Sequence, residues 1–161
     1  FSIACVSDKF IEKSSEIKNK GYILDVFTYD KYYSKNQTPY TPSIPHLFGL
    51  QKVLGLIKQE GLDNRWVRHK EMSKFIREWA ISKGQSLYAE KGFESETVTS
   101  IRNDMNWDIN KLNDMLLLKG FRMDRGYGPL RGKVFRISHM GNIFMEDLRE
   151  YIENFEECLN V

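Results

Sequence analysis

The sequence has few of the residues that mark specialised classes of protein. Its 161 residues include only two cysteines, Cys5 and Cys158, and only three histidines. The cysteines stand near opposite ends, and no pair of histidines has the spacing of metal ligands. A disulfide scaffold and a zinc site are therefore both disfavoured. The simplest expectation is a reduced, cytoplasmic protein.

An excess of one charge and long apolar runs are also missing. The 24 basic residues are interspersed with 22 acidic residues, a pattern that argues against a nucleic-acid surface. No apolar run approaches the ~20 residues of a membrane-spanning helix. Walker, dinucleotide-binding and Gly-x-Ser-x-Gly motifs are absent as well. We therefore expect neither a nucleic-acid partner nor a membrane partner.

Helical periodicity is the clearest positive signal in the chain. Apolar residues spaced three and four apart, together with cap residues, predict five helices. They begin at Ser7–Lys9, after Thr41 or Ser43, before Met72, at Asn106 or Asp108, and near Asn142. Glycines at 21, 61, 84 and 120 are the expected stops. The last helix should bury Leu148, Tyr151, Ile152 and Phe155.

Strand-like segments lie between the helices. We expect a buried strand at residues 3–6, a β-like or extended stretch at 22–27, and strands at 86–88 and 97–101. Residues 121–123 and 133–137 frame a glycine-containing connection, which predicts a hairpin. The fold class that follows is α/β, with a small, mainly antiparallel sheet and helices packed on one face.

One stretch carries the main site hypothesis, Gly-Lys-Val-Phe-Arg-Ile-Ser-His-Met-Gly at residues 132–141. Arg136 stands in a strand between apolar neighbours, so we expect it to be at least partly buried. A buried cation needs an anion, and guanidinium binds a carboxylate through two parallel hydrogen bonds. A carboxylate site is one interpretation. The alternative is an arginine that pairs with an acid of this chain or lies on an exposed strand face.

A second hypothesis concerns the polar loop Thr-Pro-Tyr-Thr-Pro at residues 38–42. The hydroxyls of Thr38 and Thr41 can donate to a phosphate, and the helix that follows offers free backbone amides. The alternative is that these threonines only cap the helix and turn the chain.

Three other features have simpler interpretations. The cluster around Arg65 and Arg68 is typical of a solvated helix face. Residues 126–128, Gly-Tyr-Gly, indicate a turn that could close over a pocket. We expect His139 to make a structural hydrogen bond.

Taken together, several segments resemble a known family. They are residues 38–45, Glu60-Gly61-Leu62 with Arg65 and Arg68-His69, residues 126–128, and residues 132–141. In this order and spacing they are similar to the C-terminal part of class V pyridoxal-phosphate-dependent aminotransferases. The nearest group comprises the alanine–glyoxylate, serine–pyruvate and archaeal aspartate aminotransferases. The resemblance covers nearly the whole chain.

The resemblance implies the C-terminal lobe of a fold-type I, homodimeric enzyme with pyridoxal 5'-phosphate as cofactor. Residues 1–43 would be the end of the large cofactor domain and a connecting loop. Residues 44–161 would be the C-terminal small domain with long connecting helices. The arginine that holds the substrate α-carboxylate falls on Arg136. The loop that reaches the cofactor phosphate across the dimer falls on Thr38 and Thr41.

The resemblance also implies that no catalytic residue lies in this chain. The lysine that binds the cofactor covalently stands upstream of the strand that residues 1–6 resemble. We expect a fragment that is inactive alone and needs the N-terminal part of the same protein. The implied reaction moves an amino group from alanine, serine or aspartate to a 2-oxo acid such as glyoxylate or pyruvate. The alternative is a non-catalytic dimerisation or carboxylate-binding lobe.

Overall fold

The structure is a computed structural model that describes residues 3–160. The chain divides into two compact units, the first ending at residue 59 and the second beginning at residue 60. The domain division at residues 43 and 44 stays a prediction. No helix in the described part is both long and apolar enough to cross a bilayer.

Two short helices of the first unit begin at side-chain caps. Helix α1 spans Asp8–Glu16 and begins as predicted at Ser7, whose hydroxyl accepts a hydrogen bond from the Phe10 amide. Helix α2 spans Val26–Tyr33, so the prediction that residues 22–27 are extended is wrong at its end. The reason is Asp25, whose carboxylate accepts from the Phe27 amide and stabilises a helix start.

Helix α3 spans Ile44–Glu60 and begins directly after Ser43, as the cap and proline pattern predicts. Residues 3–6 do not form the buried strand that we expected, because they are exposed and have no strand partner within the described range. An apolar run is stable as a strand only when its backbone groups pair with a neighbour.

Three helices build the second unit. Helix α4 spans Leu62–Ser82, α5 spans Ile109–Leu118, and α6 spans Met145–Leu159. Gly61 separates α3 from α4 with a φ of 85°, a backbone angle that favours glycine. Asp108 caps α5 by accepting hydrogen bonds from two amides of its first turn. The helical periodicity is therefore confirmed throughout this unit.

The sheet of the second unit has two antiparallel strands, β1 (Val98–Arg102) and β2 (Val134–Ser138). The predicted strand at 86–88 contributes only one isolated bridge, from Leu87 to Ile101. The predicted hairpin of 121–123 with 133–137 is reduced to one isolated antiparallel bridge, between Asp124 and Arg136, just beyond the first predicted strand. The amides of Phe121 and Met123 donate to α5 instead, at 2.9 and 3.2 Å. Because these two amides already donate to α5, they are not available for hydrogen bonds to a neighbouring strand.

The core lies between the sheet and the three helices of the second unit. Phe135 of β2 and Phe155 of α6 are both fully buried, and their ring centroids lie 6.0 Å apart. Trp79 of α4 meets the Phe155 ring edge-on at 5.2 Å. Leu148 and Ile152 are buried as predicted, whereas Tyr151 is only half-buried. The predicted fold class, a small antiparallel sheet covered by helices, is confirmed.

Candidate functional site

Arg136 lies on the outer face of β2. Strand alternation turns Phe135 and Ile137 toward the core, where they are 0% and 3% exposed, and it turns Arg136 away from the core. The Arg136 side chain is 47% exposed, so the expectation of partial burial between apolar neighbours is wrong. The neighbours are buried, but the arginine occupies the opposite face.

An acid of the same chain pairs with Arg136. Its Nε donates to Oδ1 of Asp124 at 2.9 Å, and its Nη2 donates to Oδ2 at 2.6 Å. The hydrogen bonds from Arg136 lower the pKa of Asp124 below its ordinary value, so the carboxylate stays charged. The interpretation of Arg136 as an arginine paired within the chain therefore describes the contact that the structure contains. This contact uses one edge of the guanidinium and leaves the other edge open.

The turn after Asp124 fixes the geometry of this pair. The Gly126 amide donates to Asp124 Oδ1 at 2.9 Å. Gly126 has a φ of 79°, and a Cβ atom there would stand 2.5 Å from the carbonyl oxygens of Leu130 and Val134. Only glycine fits such a position without backbone movement. The predicted turn at residues 126–128 is found slightly later in the chain, where Gly128–Leu130 form a short 3-10 helix after Tyr127.

A cavity of about 850 Å³ opens beside the pair and is bounded by the 120–128 segment, β2 and α6. This volume falls in the range of roughly 300–1,000 Å³ that is usual for small-molecule sites. Its wall includes the side chains of Phe121 and Tyr151 and three further arginines, Arg122, Arg125 and Arg131. The cavity can therefore accept a small anion, with Arg136 in its wall.

His139 follows the arginine strand and has a structural role. Its ring is fully buried, and Nε2 lies 2.9 Å from the Thr99 hydroxyl. Burial lowers the pKa of His139 to about 4. The predicted structural hydrogen bond is confirmed. His139 is not among the residues in the wall of the Arg136 cavity.

The loop that follows His139 is clamped to α4 by a charge network. Glu60 accepts from Arg65 Nη1 at 2.9 Å and from Arg68 Nε at 2.6 Å. The same two guanidinium groups donate to the Gly141 carbonyl at 3.0 and 3.2 Å, and Arg68 also donates to the Ile143 carbonyl. Hydrogen bonds from Arg68 chiefly lower the pKa of Glu60, to about 2.

Sequence reasoning missed this clamp, because the Arg65 and Arg68 cluster was interpreted as a solvated face. Both side chains are instead mostly buried, at 19% and 13% exposure. The sequence contained one signal for this clamp. Glu60 stands just before the helix break at Gly61, and Arg65 and Arg68 follow it, about one helical turn apart. Asp124 was also missed, and its only signal was an acid two residues before a glycine turn.

Thr38 and Thr41 belong to the first unit, and Arg136 belongs to the second. Both are exposed in the loop between α2 and α3, and Thr41 stands three residues before the α3 start. Between them, Tyr40 donates its hydroxyl to the Tyr22 carbonyl. The Tyr40 ring also packs on Tyr22 at 4.6 Å between ring centroids. Tyr40 thus anchors the loop between two exposed threonines.

This arrangement fits a phosphate contact. The first amides of a helix lack intrahelical acceptors, and the helix dipole favours an anion at that end. An exposed hydroxyl on the loop leading into α3 can add a donor to those amides. No group of three or more His, Cys, Asp or Glu residues in the described part is arranged to hold a metal ion.

No protein-family model matches the sequence, but individual proteins do. An uncharacterized aminotransferase of Methanocaldococcus jannaschii is 37% identical over 139 residues, which are 84% of this chain and 36% of that protein. A serine–glyoxylate aminotransferase of Arabidopsis thaliana is 33% identical over 147 residues, which are 88% of this chain and 36% of that protein.

A solved structure agrees with these similarities. The alanine–glyoxylate aminotransferase from Nostoc sp. superposes with a TM-score of 0.82 and 30% identity. The match covers 95% of this chain and 42% of that one. The chain therefore spans less than half the length of the proteins it resembles.

Proposed function

Because this chain is homologous to the C-terminal part of class V aminotransferases, we propose that it is the C-terminal part of a pyridoxal-phosphate-dependent transaminase. The sequence similarity across most of the chain, to proteins named for this activity, is the observation that carries the proposal. The proposed reaction moves an amino group from alanine, serine or aspartate to a 2-oxo acid such as glyoxylate or pyruvate.

The proposed role of Arg136 is to bind the α-carboxylate of both substrates. An amino acid and a 2-oxo acid share this carboxylate, so one guanidinium can hold each of them in turn. The free Nη edge and the adjacent cavity support this role. One site used twice predicts a mechanism in which the first product leaves before the second substrate binds.

The proposed cofactor is pyridoxal 5'-phosphate, which supplies the carbonyl group and the electron-withdrawing ring that amino transfer needs. Thr38 and Thr41 would donate hydroxyl hydrogen bonds to its phosphate, beside the α3 N-terminus. No lysine of this chain stands in the sequence context of the family's cofactor-binding lysine. We therefore propose that this lysine, and all proton transfer at the substrate, belong to another part of the protein.

The proposed organisation follows from the same premise. Residues 1–43 would complete the large cofactor domain, and residues 44–161 would form the small domain with its connecting helices. We further propose a cytoplasmic homodimer in which the loop carrying Thr38 and Thr41 serves the site of the partner subunit. The exposed position of both threonines supports a role outside their own unit.

The test is an assay of the whole protein, produced from its complete reading frame. Alanine, serine and aspartate would each be offered with glyoxylate or pyruvate, and the amino-acid product would be quantified. We expect turnover with at least one pair and loss of turnover when the cofactor is removed. A protein that binds a 2-oxo acid but transfers no amino group would instead support a carboxylate-binding lobe.

A further inference from the structure

Asp124 and Arg136 are held opposite each other by the backbone as well as by their side chains. They form an isolated antiparallel bridge, and the Arg136 amide donates to the Asp124 carbonyl at 3.3 Å. Residues directly opposite in an antiparallel pair project their side chains to the same side. The backbone therefore places the carboxylate beside the guanidinium, and both residues line the 850 Å³ cavity.

Asp124 is itself fixed in place. Its Oδ1 accepts from both the Gly126 amide and Arg136 Nε, each at 2.9 Å. Gly126 packs so closely against the carbonyl oxygens of Leu130 and Val134 that a Cβ would not fit there. The carboxylate that pairs with Arg136 is thus also hydrogen-bonded to a closely packed turn.

The contact selects one edge of the guanidinium. Asp124 takes the edge formed by Nε and Nη2, so the end formed by Nη1 and the outer hydrogen of Nη2 stays open. That end matches a second carboxylate with two parallel hydrogen bonds. The side chain of Arg136 is 47% exposed, and a long exposed side chain without an anchor samples many rotamers, whose loss opposes binding.

We propose that Asp124 is a positioning residue that holds the Arg136 guanidinium with its open end toward the substrate carboxylate. The inference rests on the proposed function. Asp124 also adds a negative charge close to an incoming anion. If the main effect of the Asp124 charge were to offset the positive charge of Arg136, removing it would tighten substrate binding. If the main effect is to position the guanidinium, removing it weakens substrate binding. The two effects therefore have opposite signs.

The experiment compares Asp124→Asn with the unmodified whole protein in steady-state transamination. Asparagine keeps an oxygen for the Gly126 amide but cannot accept on both sides from Arg136. We expect KM for the amino acid and for the 2-oxo acid to rise about 3- to 10-fold, the cost of ordering one long side chain. We expect kcat to change by less than about twofold, because Asp124 touches no reacting atom.

Two comparisons separate positioning from a structural effect. Ethylamine has no carboxylate, so its slow single-turnover reaction with the cofactor should be unchanged in Asp124→Asn. Asp108→Asn is the matched control, because Asp108 lies outside the cavity wall and its carboxylate accepts from the Asn110 and Lys111 amides at the start of α5. Asp124→Glu keeps a carboxylate and should recover part of the lost affinity.

The outcomes are distinct. An unchanged or lowered KM in Asp124→Asn, with Arg136→Ala still defective, would overturn the role of Asp124 and leave the proposed function intact. An equal loss of the ethylamine reaction would also overturn it, as a general structural effect. A whole protein without transaminase activity, or an Arg136→Ala variant with normal KM values, would overturn the proposed function and this inference together.

Discussion

At the scale of single residues, Arg136 shows how one side chain can satisfy two interpretations. It pairs with an acid of its own chain, yet the pairing leaves a two-donor end free beside a cavity. A paired arginine is therefore compatible with a carboxylate receptor. The decisive property is which edge of the guanidinium the internal acid occupies.

Arg136→Ala in the whole protein should impair every amino-acid substrate and leave the cofactor bound. Losing a bidentate, charge-assisted pair should cost roughly 2–5 kcal/mol of substrate or transition-state binding. Catalytic efficiency with two chemically different amino acids measures the loss, and the cofactor absorbance checks retention. Arg102→Ala on the neighbouring strand is the matched control. Equal efficiency in wild type and Arg136→Ala would leave Arg136 with only its internal pair.

His139 gives a residue-scale prediction on pH. Burial lowers the pKa of its imidazole from 6.5 to about 4, so the unfolded chain takes up the proton first as pH falls. The stability that neutral His139 provides is complete above about pH 6.5 and is lost as pH falls toward 4. Between pH 7 and pH 5 the loss should be on the order of 1–2 kcal/mol.

The measurement compares His139→Gln with wild type by denaturant unfolding at both pH values. Glutamine can still hydrogen-bond the Thr99 hydroxyl but does not titrate. We expect the variant to lose less stability than wild type on acidification, although it starts from a lower value. Parallel pH profiles would contradict a buried neutral His139.

At the scale of elements, the Glu60 clamp ties the start of α4 to the loop after β2. Arg65 and Arg68 link Glu60 to the carbonyl oxygens of Gly141 and Ile143. The Arg68 guanidinium also covers the Phe144 ring, 4.6 Å from its centroid. The loop at the C-terminal end of β2, the strand that carries Arg136, is therefore held by α4, which contributes no residue to the cavity wall.

Glu60→Gln should loosen this loop, because two mostly buried guanidinium groups lose their anionic partner. We expect faster amide hydrogen exchange at residues 140–144 and a melting temperature lower by a few degrees. Glu78→Gln on α4 is the control, since its pair with Lys74 is exposed and contributes little. Equal exchange in both variants would show that the clamp does not stabilise the loop.

At the scale of the whole molecule, the proposed dimer links assembly to cofactor retention. Thr41→Val nearly keeps the side-chain shape and removes a hydroxyl donor. A hydrogen bond to a charged group contributes about 1.5–3 kcal/mol, so cofactor should dissociate more readily while folding is little changed. Thr41→Ser, which keeps the hydroxyl, should behave like wild type. Cofactor release measured by absorbance during dialysis tests both variants.

A mixed dimer decides which subunit Thr41 serves. One subunit would carry Thr41→Val, and the other would carry a substitution of the cofactor-binding lysine. If the loop acts across the interface, the only lysine-bearing site is completed by an intact Thr41 and retains cofactor normally. Weak retention in that dimer would show that the loop serves its own subunit.

Local and periodic features of this protein could be predicted from its sequence. Helix caps and helix-ending glycines, such as Ser7, Asp108 and Gly61, affect only the backbone of nearby residues. The helix boundaries next to them can therefore be predicted from neighbouring residues alone. The alternation of Phe135, Arg136 and Ile137 defines which residues share a face. The homology rests on the same kind of information, the order and spacing of segments along the chain.

Pairing between distant segments depended on the tertiary structure. The sequence predicted a hairpin for β2, but α5 uses amides of the expected partner strand. The ladder of β2 forms with β1, and only the Asp124–Arg136 bridge remains on the expected side. Asp124 stands 12 residues from Arg136, and Arg65 and Arg68 stand 73 to 76 residues before the carbonyl oxygens to which they donate. Nothing in local propensity selects such partners, because they come together only when the core packs. The sequence by itself determined the helices other than α2, the fold class and the arginine on its strand. The tertiary structure alone decided which anion holds that arginine and which of its edges stays open, because a contact between distant residues is set by packing.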